Sequence, residues 1–187
     1  MTTETPPRHS TTTVVLLHLA HAVDHLFLLI FATTVSSMAP DFGFTQWQDL
    51  MPFGVGAFIL FGLGSIPAGR LGDLWGRRQM MIVFFLGMGV SALAVSLTQS
   101  AWQLALALTL MGAFASIYHP VGIPMLVQKA EKPGLTIGIN GLAGNLGIAM
   151  AALSTGFLVA WQGWRMAFIV PAMVSILCCI LFEIGRA

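Results

Sequence analysis

The chain has 187 residues, of which 57% are hydrophobic and 8% are charged, and its mean hydropathy is +0.86. This composition excludes an ordinary soluble enzyme. The net charge of +1 provides no basic surface for nucleic acid, so the sequence predicts no nucleic-acid partner.

Six apolar stretches follow one another along the chain, and each is long enough to cross about 30 Å of hydrocarbon. They cover residues 14–37, 51–69, 79–98, 102–127, 134–160 and 164–184. Runs of about 20 residues without strict alternation favour helices over barrel strands. The sequence therefore predicts an all-α membrane protein with six transmembrane helices in residues 14–187, preceded by a polar tail at 1–13.

The first stretch carries four ionisable residues, His18, His21, Asp24 and His25. At 100° per residue they occupy an arc of about 120°, so they share one helix face. Such groups are costly in lipid unless they face a cavity or a partner, so this face is predicted to point into the bundle. Histidines beside a carboxylate suit proton coupling or a polar substrate; mutual hydrogen bonding in the core is the alternative.

The second and third stretches are joined by the sequence Gly69-Arg70-Leu71-Gly72-Asp73-Leu74-Trp75-Gly76-Arg77-Arg78. Gly69 and Gly76 predict a tight turn, and Asp73 is suited to cap a helix or pair with a cation. The arginines favour the cytoplasmic side of the membrane. A charged turn that only fixes the topology is the alternative.

The fourth and fifth stretches contain helix-breaking and small residues. Pro120 and Pro124 interrupt the fourth stretch, where a proline frees carbonyls that need other partners. The fifth has glycines at spacings that let helix backbones approach closely, namely Gly134, Gly138, Gly141, Gly144 and Gly147. For these glycines, packing alone is the alternative to a functional role.

Three further polar side chains lie within these two stretches. Unpaired amides are costly in lipid, so Asn140 and Asn145 are predicted to have partners. His119 either contacts a ligand or bonds a carbonyl that the nearby prolines free.

The basic residues are distributed unevenly between the two predicted ends of the bundle. One end has Arg165 alone, and the other has Arg8, Arg70, Arg77, Arg78, Lys129, Lys132 and Arg186. This bias predicts a multi-pass protein of the plasma (cell inner) membrane with both termini in the cytoplasm. Four tryptophans are expected at the headgroup level of the opposite side: Trp47, Trp102, Trp161 and Trp164.

The connection after the second stretch resembles the signature of the major facilitator superfamily, G-x-L-x-D-x-x-G-R-R/K. The matching residues are Gly69, Leu71, Asp73, Gly76, Arg77 and Arg78. The basic residue often found after the aspartate is Leu74 here. The six-helix layout, the glycine-rich fifth stretch and the Gly163-Trp164-Arg165 start of the sixth are similar to the N-terminal half of such transporters, a six-helix bundle with a three-plus-three repeat.

This resemblance implies secondary active transport of a small molecule by alternating access, with no enzymatic activity, cofactor or metal. It implies that Asp73, Arg77 and Arg78 act in a gate between two six-helix halves. It also implies that the first and fourth helices line the central cavity, with these candidates for substrate or proton contact: His18, His21, Asp24, His25, His119, Asn140 and Asn145.

Two other signatures of the family are missing. Leu108 stands where many proton-coupled members have an arginine, and the Gly141–Asn145 segment has no proline. The resemblance therefore does not establish antiport.

Alternatives to a single working transporter stay open. One half presents one cavity wall, so the predicted partner is a second six-helix half or a second copy in a homodimer. A membrane haem or metal protein that uses the histidines of the first and fourth stretches is a second hypothesis. A half-transporter subunit that does not transport is a third.

Overall fold

The computed structural model describes residues 9–185, which are almost entirely helical. The helices are α1 (Thr11–Met38), α2 (Val55–Leu63), α3 (Ser65–Trp75), α4 (Arg77–Ser96), α5 (Ala101–Ala115), α6 (Ile123–Gln128), α7 (Pro133–Gln162) and α8 (Trp164–Ile184). Three short 3-10 turns lie between α1 and α2, at Ala39–Phe42, Trp47–Asp49 and Met51–Gly54. Arg8 and Arg186, on which the predicted orientation partly depends, lie outside the described residues.

The helices match the dimensions of a membrane protein. Five helical stretches of the described residues are long and apolar enough to cross a membrane, and α2 with α3 forms a sixth span if this bent pair is counted as one. The bend between them is 47°. The prediction of an all-α membrane protein is confirmed for the part of the chain that the structure describes.

The prediction of a turn at residues 69–78 is wrong for most of its length. Helix α3 continues to Trp75, and α4 begins at Arg77. Gly76 alone makes the turn, with a φ of 101° that favours glycine. Helical hydrogen bonding continues beyond the apolar part of a span, because polar side chains in the next turns are no obstacle to it.

The fourth span is interrupted at Pro120, as predicted, whereas Pro124 lies in the first turn of α6. Helix α5 ends at Ala115, a π-helical turn covers Tyr118–Gly122, and α6 follows. A proline has no N–H to donate, so the regular ladder of α5 cannot continue through Pro120. Turns of this type are frequent at functional sites, and this one carries His119.

Two helix crossings bring backbones into direct contact. A Cβ atom on Gly147 of α7 would lie 2.1 Å from the carbonyl oxygen of Ala22 in α1. In the other crossing, a Cβ atom on Gly112 of α5 would lie 2.1 Å from the carbonyl oxygen of Ala57 in α2. Helix α4 packs on α8, where the Ser175 hydroxyl donates to a carbonyl of α4. Each of the first three spans thus packs against one of the last three: span one on span five, span two on span four, and span three on span six. This pairing is consistent with a three-plus-three arrangement.

The glycines of α7 do not all serve this packing. Gly144 and Gly147 face α1, whereas Gly134, Gly138 and Gly141 have open space where a side chain would be. The outer surface of α7 is apolar and exposed. Of the long helices, α7 is the least buried.

Hydrogen bonds connect the 3-10 turn that follows α1 with the start of α8. The Asp41 carboxylate accepts hydrogen bonds of 2.9 Å from the Trp164 indole and the Arg165 guanidinium. Trp164 is buried against the protein, and its position at the headgroup level stays a prediction. Trp47 and Trp102, by contrast, are exposed.

Candidate functional site

Helix α1 presents its ionisable residues to α7 and to the π-helical turn. Asp24 is fully buried and His21 is buried, whereas His18 and His25 are half-buried. Three residues of other elements complete this polar cluster, namely Tyr118, His119 and Asn140.

The ring of His21 is held in a defined tautomer. Its Nδ1 lies 2.7 Å from the backbone oxygen of Asn140. A carbonyl only accepts, so Nδ1 carries the hydrogen and Nε2 is left with a free lone pair. The Nε2 of His25 lies 3.1 Å from that atom and donates to it.

Glycine at position 144 is required by the His21 ring. A Cβ atom at Gly144 would lie 2.7 Å from Cε1 of His21, a distance that excludes any side chain. The sequence alone did not predict this role of Gly144. The requirement arises from the register of α7 against α1.

Tyr118 was also missed as a site residue. Its hydroxyl lies 2.9 Å from the carbonyl of Leu17 and 2.8 Å from Oδ1 of Asn140. Nδ1 of His18 lies 3.3 Å from the same amide oxygen. The only available signal was that the single tyrosine of the chain directly precedes His119.

Asp24 is the most unusual group of the cluster. Its Oδ2 lies 3.4 Å from Nδ1 of His119, but the geometry is not that of a hydrogen bond, and neither carboxylate oxygen has a hydrogen-bond partner among the described residues. A buried charge without partners is costly, so a carboxyl group in this place favours binding a proton or a cation.

Asn145 does not join the cluster. It lies exposed on α7, although Asn140 on the same helix is buried. Five residues correspond to about 140° around a helix, so the two amides cannot face the same neighbour.

An apolar cavity of about 110 Å³ lies between α1, the start of α2, and α5. Leu28 lines it and follows Asp24 by one turn of α1. Leu108, which stands where many proton-coupled members of the family have an arginine, also lines the cavity and is buried. The polar cluster and the apolar cavity therefore adjoin along α1.

The gate candidates Asp73, Arg77 and Arg78 lie at the C-terminal end of α3 and the start of α4. Asp73 and Arg77 form an ion pair of 3.6 Å with both side chains partly exposed, and Arg77 also donates to Oε1 of Gln128 at 3.2 Å. Arg78 has a different environment, because it donates to the carbonyls of Phe182 and Glu183 at the end of α8. Its guanidinium also lies over the Phe182 ring.

The imidazoles are too close together for a haem. The ring centroids of His21 and His25 are 4.8 Å apart, and those of His21 and His119 are 5.2 Å apart. Ligation of a haem by two histidines places the macrocycle between the rings. Rings in direct contact leave no room for it, so this geometry disfavours the haem hypothesis.

Comparison with known proteins assigns this arrangement of helices to a family. Residues 17–186 match the family described as the Major Facilitator Superfamily. The chain is 30% identical over 122 residues to the puromycin resistance protein pur8 of Streptomyces alboniger, with 64% of this chain and 24% of that protein covered. It is 27% identical over 128 residues to the probable actinorhodin transporter of Streptomyces coelicolor, with 65% and 22% covered.

A solved structure shows the same fold. The proton:xylose symporter XylE, bound to 6-bromo-6-deoxy-D-glucose, superposes with a TM-score of 0.78 at 15% identity. The match covers 92% of this chain and 44% of the symporter. The chain thus spans less than half the length of the relatives it matches.

Proposed function

Because the chain belongs to the major facilitator superfamily, we propose that its helices form one wall of a secondary transporter for a small molecule. The protein works by alternating access and is a carrier with no enzymatic step. The relatives named above include a resistance protein and a probable transporter of a natural product, which favours an organic compound as the substrate.

Protons drive this transport through Asp24. The observation that carries the proposal is the fully buried carboxyl group with no hydrogen-bond partner, 3.4 Å from the half-exposed His119. A proton on this pair removes the cost of the buried charge, and its loss restores that cost. His21 and His25 form a hydrogen-bonded pair beside it, so a proton can pass between this pair of imidazoles and the Asp24–His119 pair.

The apolar cavity beside Leu28 is the proposed place for an apolar part of the substrate. Polar groups of the substrate then contact His25 and His119, which are half-buried and not sealed in the core. Binding pockets commonly combine apolar walls with a few polar groups that fix orientation.

Replacement of Asp24 by Asn tests the proton role. Cells that express the protein are loaded with a panel of small organic compounds beginning with puromycin, and their efflux or uptake is measured between pH 6 and pH 8. We expect Asp24→Asn to abolish the dependence of transport on pH while the protein still inserts in the membrane. Asp49→Asn is the matched control, because Asp49 is exposed in a short turn before α2. Unchanged, pH-dependent transport by Asp24→Asn contradicts the proposal.

We propose that the end with Arg70, Arg77 and Lys132 faces the cytoplasm, by the positive-inside rule. The hydrogen bond from Arg77 to Gln128 brings the α3–α4 junction next to the end of α6, so the basic residues of both segments lie at one end of the bundle. A cysteine introduced at Lys132 should resist a membrane-impermeant maleimide added to intact cells, and one at Gln46 should react. The reverse pattern contradicts the orientation.

A second six-helix half completes the cavity in this proposal. The exposed apolar faces of α2 and α7, which include Phe58, Leu142 and Phe157, are the surfaces that support it. The second half can belong to the same polypeptide or to a second copy of the chain. The intact mass of the native polypeptide and its mass in detergent distinguish these two cases. A polypeptide about twice 20.0 kDa supports a second half in the same chain, and a dimer of 20.0 kDa chains supports a second copy. A 20.0 kDa monomer that transports contradicts the need for a partner.

A further inference from the structure

Three imidazoles from two elements converge in the polar cluster. One ring nitrogen from each of His21, His25 and His119 lies within 4.8 Å of the other two. His21 and His25 are one turn apart on α1, and His119 comes from the π-helical turn that replaces the regular helix there. Two elements that are far apart in sequence therefore build one potential ligand set.

The nitrogen atoms of this set have free lone pairs or can obtain them without strain. His21 donates its Nδ1 hydrogen to the Asn140 carbonyl, so its Nε2 points at the cluster unprotonated. His25 presents its Nε2 only 3.1 Å away, and moving its hydrogen to Nδ1 frees the second lone pair without changing the charge. Metal-bound histidines usually donate their other ring N–H to a carbonyl or carboxylate, which His21 already does.

The distances suit a small transition-metal ion. Zn²⁺ binds imidazole nitrogens at about 2.0–2.1 Å, so two ligands of a tetrahedral site are about 3.3 Å apart. The His21–His25 distance of 3.1 Å is close to this value. All three nitrogen atoms lie within 4.8 Å of one another, so the site requires His119, whose side chain is half-exposed, to move closer to the other two imidazoles on binding.

The charge of the cluster is complementary to a cation. Asp24 is fully buried, and neither of its oxygens has a hydrogen-bond partner among the described residues. Its carboxylate lies 3.4 Å from Nδ1 of His119. An ion bound to the three imidazoles receives the balancing negative charge from this group. The His119 side chain is 38% exposed, so an ion reaches the cluster without unfolding of the bundle.

We propose that His21, His25 and His119 bind one divalent transition-metal ion of the Zn²⁺ type, with Asp24 as the balancing charge. Imidazole ligands favour zinc and its neighbours over magnesium and calcium, which prefer oxygen. This site does not depend on transport, since it concerns an ion held by the chain itself. The competing account of the same geometry is that protons alone occupy the cluster.

Metal titration of the purified protein in detergent tests the site. Calorimetry with ZnCl₂ should show one ion bound per chain, and MgCl₂ should give no binding heat. CoCl₂ should give the visible absorption of a tetrahedral nitrogen and oxygen site, without the sulfur charge-transfer band that Cys178 or Cys179 would produce.

Ligand variants locate the ion. We expect His25→Gln and His119→Gln each to weaken Zn²⁺ binding on the order of 100-fold, and Asp24→Asn to weaken it by about 10–100-fold. His9→Gln is the matched control and should bind as the parent does. His9 lies outside the cluster, with its Nε2 bonded to the Met125 carbonyl and its pKa lowered by burial.

The outcomes separate this proposal from transport. A parent protein without Zn²⁺ binding overturns the metal site and leaves proton coupling as the role of the cluster. Binding that is unchanged in both His25→Gln and His119→Gln, or that is lost in His9→Gln, also overturns it. Thermal unfolding of each variant shows whether it is folded, and because His119 is half-exposed, His119→Gln provides the test if His25→Gln does not fold.

Discussion

The two helix crossings of the bundle, α1 with α7 and α2 with α5, have the same backbone packing, but the first is surrounded by polar side chains and the second by apolar ones. At each, a glycine lies against the backbone of an alanine, at Gly147 and at Gly112. Imidazole, carboxyl and amide groups lie beside the first crossing, and apolar side chains surround a cavity beside the second. The close backbone approach therefore does not depend on the polarity of its surroundings. The two crossings share one packing arrangement, and the residues around each decide whether its surroundings are polar or apolar.

The largest expected effect comes from moving a carboxyl group to the apolar crossing. Leu108 is buried and lines the cavity. In Leu108→Asp, the new charge has no imidazole beside it, so we expect a loss of about 3–5 kcal/mol in the free energy of unfolding, as for an uncompensated buried charge. Unfolding of the purified protein in detergent measures the loss. Leu108→Asn, which has the same shape without the charge, should lose less, and equal losses contradict this account.

A nearly equal effect is expected from filling either crossing. In Gly147→Leu and Gly112→Leu, the new side chain starts 2.1 Å from a backbone oxygen, so the helices must separate. We expect each variant to lose about 3 kcal/mol, the upper end for overpacking, because backbone atoms move less readily than side chains. Gly138→Leu, which points into open space on α7, is the control and should unfold like the parent. If it is as unstable as Gly147→Leu, the crossings are not the cause.

A smaller loss is expected when the polar crossing loses one hydroxyl. Tyr118→Phe removes the donor that faces Leu17 and Asn140, and the loss of this buried hydrogen bond costs about 1–2 kcal/mol. Thr109→Val is the control at the other crossing, because the Thr109 hydroxyl bonds, among the described residues, to a carbonyl of its own helix alone. Thermal unfolding should show a lower midpoint for Tyr118→Phe than for Thr109→Val.

The smallest effect on stability is expected at the α3–α4 junction, which follows α2 of the second crossing in the chain. Asp73 and Arg77 form a partly exposed pair across the α3–α4 junction, and exposed pairs contribute about 0.2–1 kcal/mol. Asp73→Asn should thus barely change unfolding while it reduces transport, if the pair acts in a gate. Arg70→Gln, in the same helix, is the control for a general loss of charge. A large loss of stability in Asp73→Asn instead indicates a structural role.

The sequence predicted the fold better than it predicted the contacts. Hydropathy and periodicity gave the helices and the shared face of His21, Asp24 and His25, because both depend on local spacing. The turn at 69–78 was wrong because a signature pattern does not say whether its residues are helical. Only Gly76, with its positive φ, leaves the helix.

The sequence did not predict the contacts between helices. Tyr118 and Gly144 entered the site only because α7 and the π-helical turn lie against α1 in one register, which local patterns do not encode. Asn145 was expected among the polar groups but lies on the outside of α7. Trp164 was expected at the headgroup level, and the sequence did not predict that its indole bonds to the exposed Asp41 carboxylate.

The contact between Gly144 and the His21 ring also has an evolutionary consequence. Any larger residue at 144 would displace the imidazole, since even a Cβ atom would lie 2.7 Å from it. A mutation at this glycine is therefore tolerated only after the histidine has been replaced by a smaller side chain. The two positions should change in a fixed order during divergence, and related sequences that keep the histidine should keep the glycine.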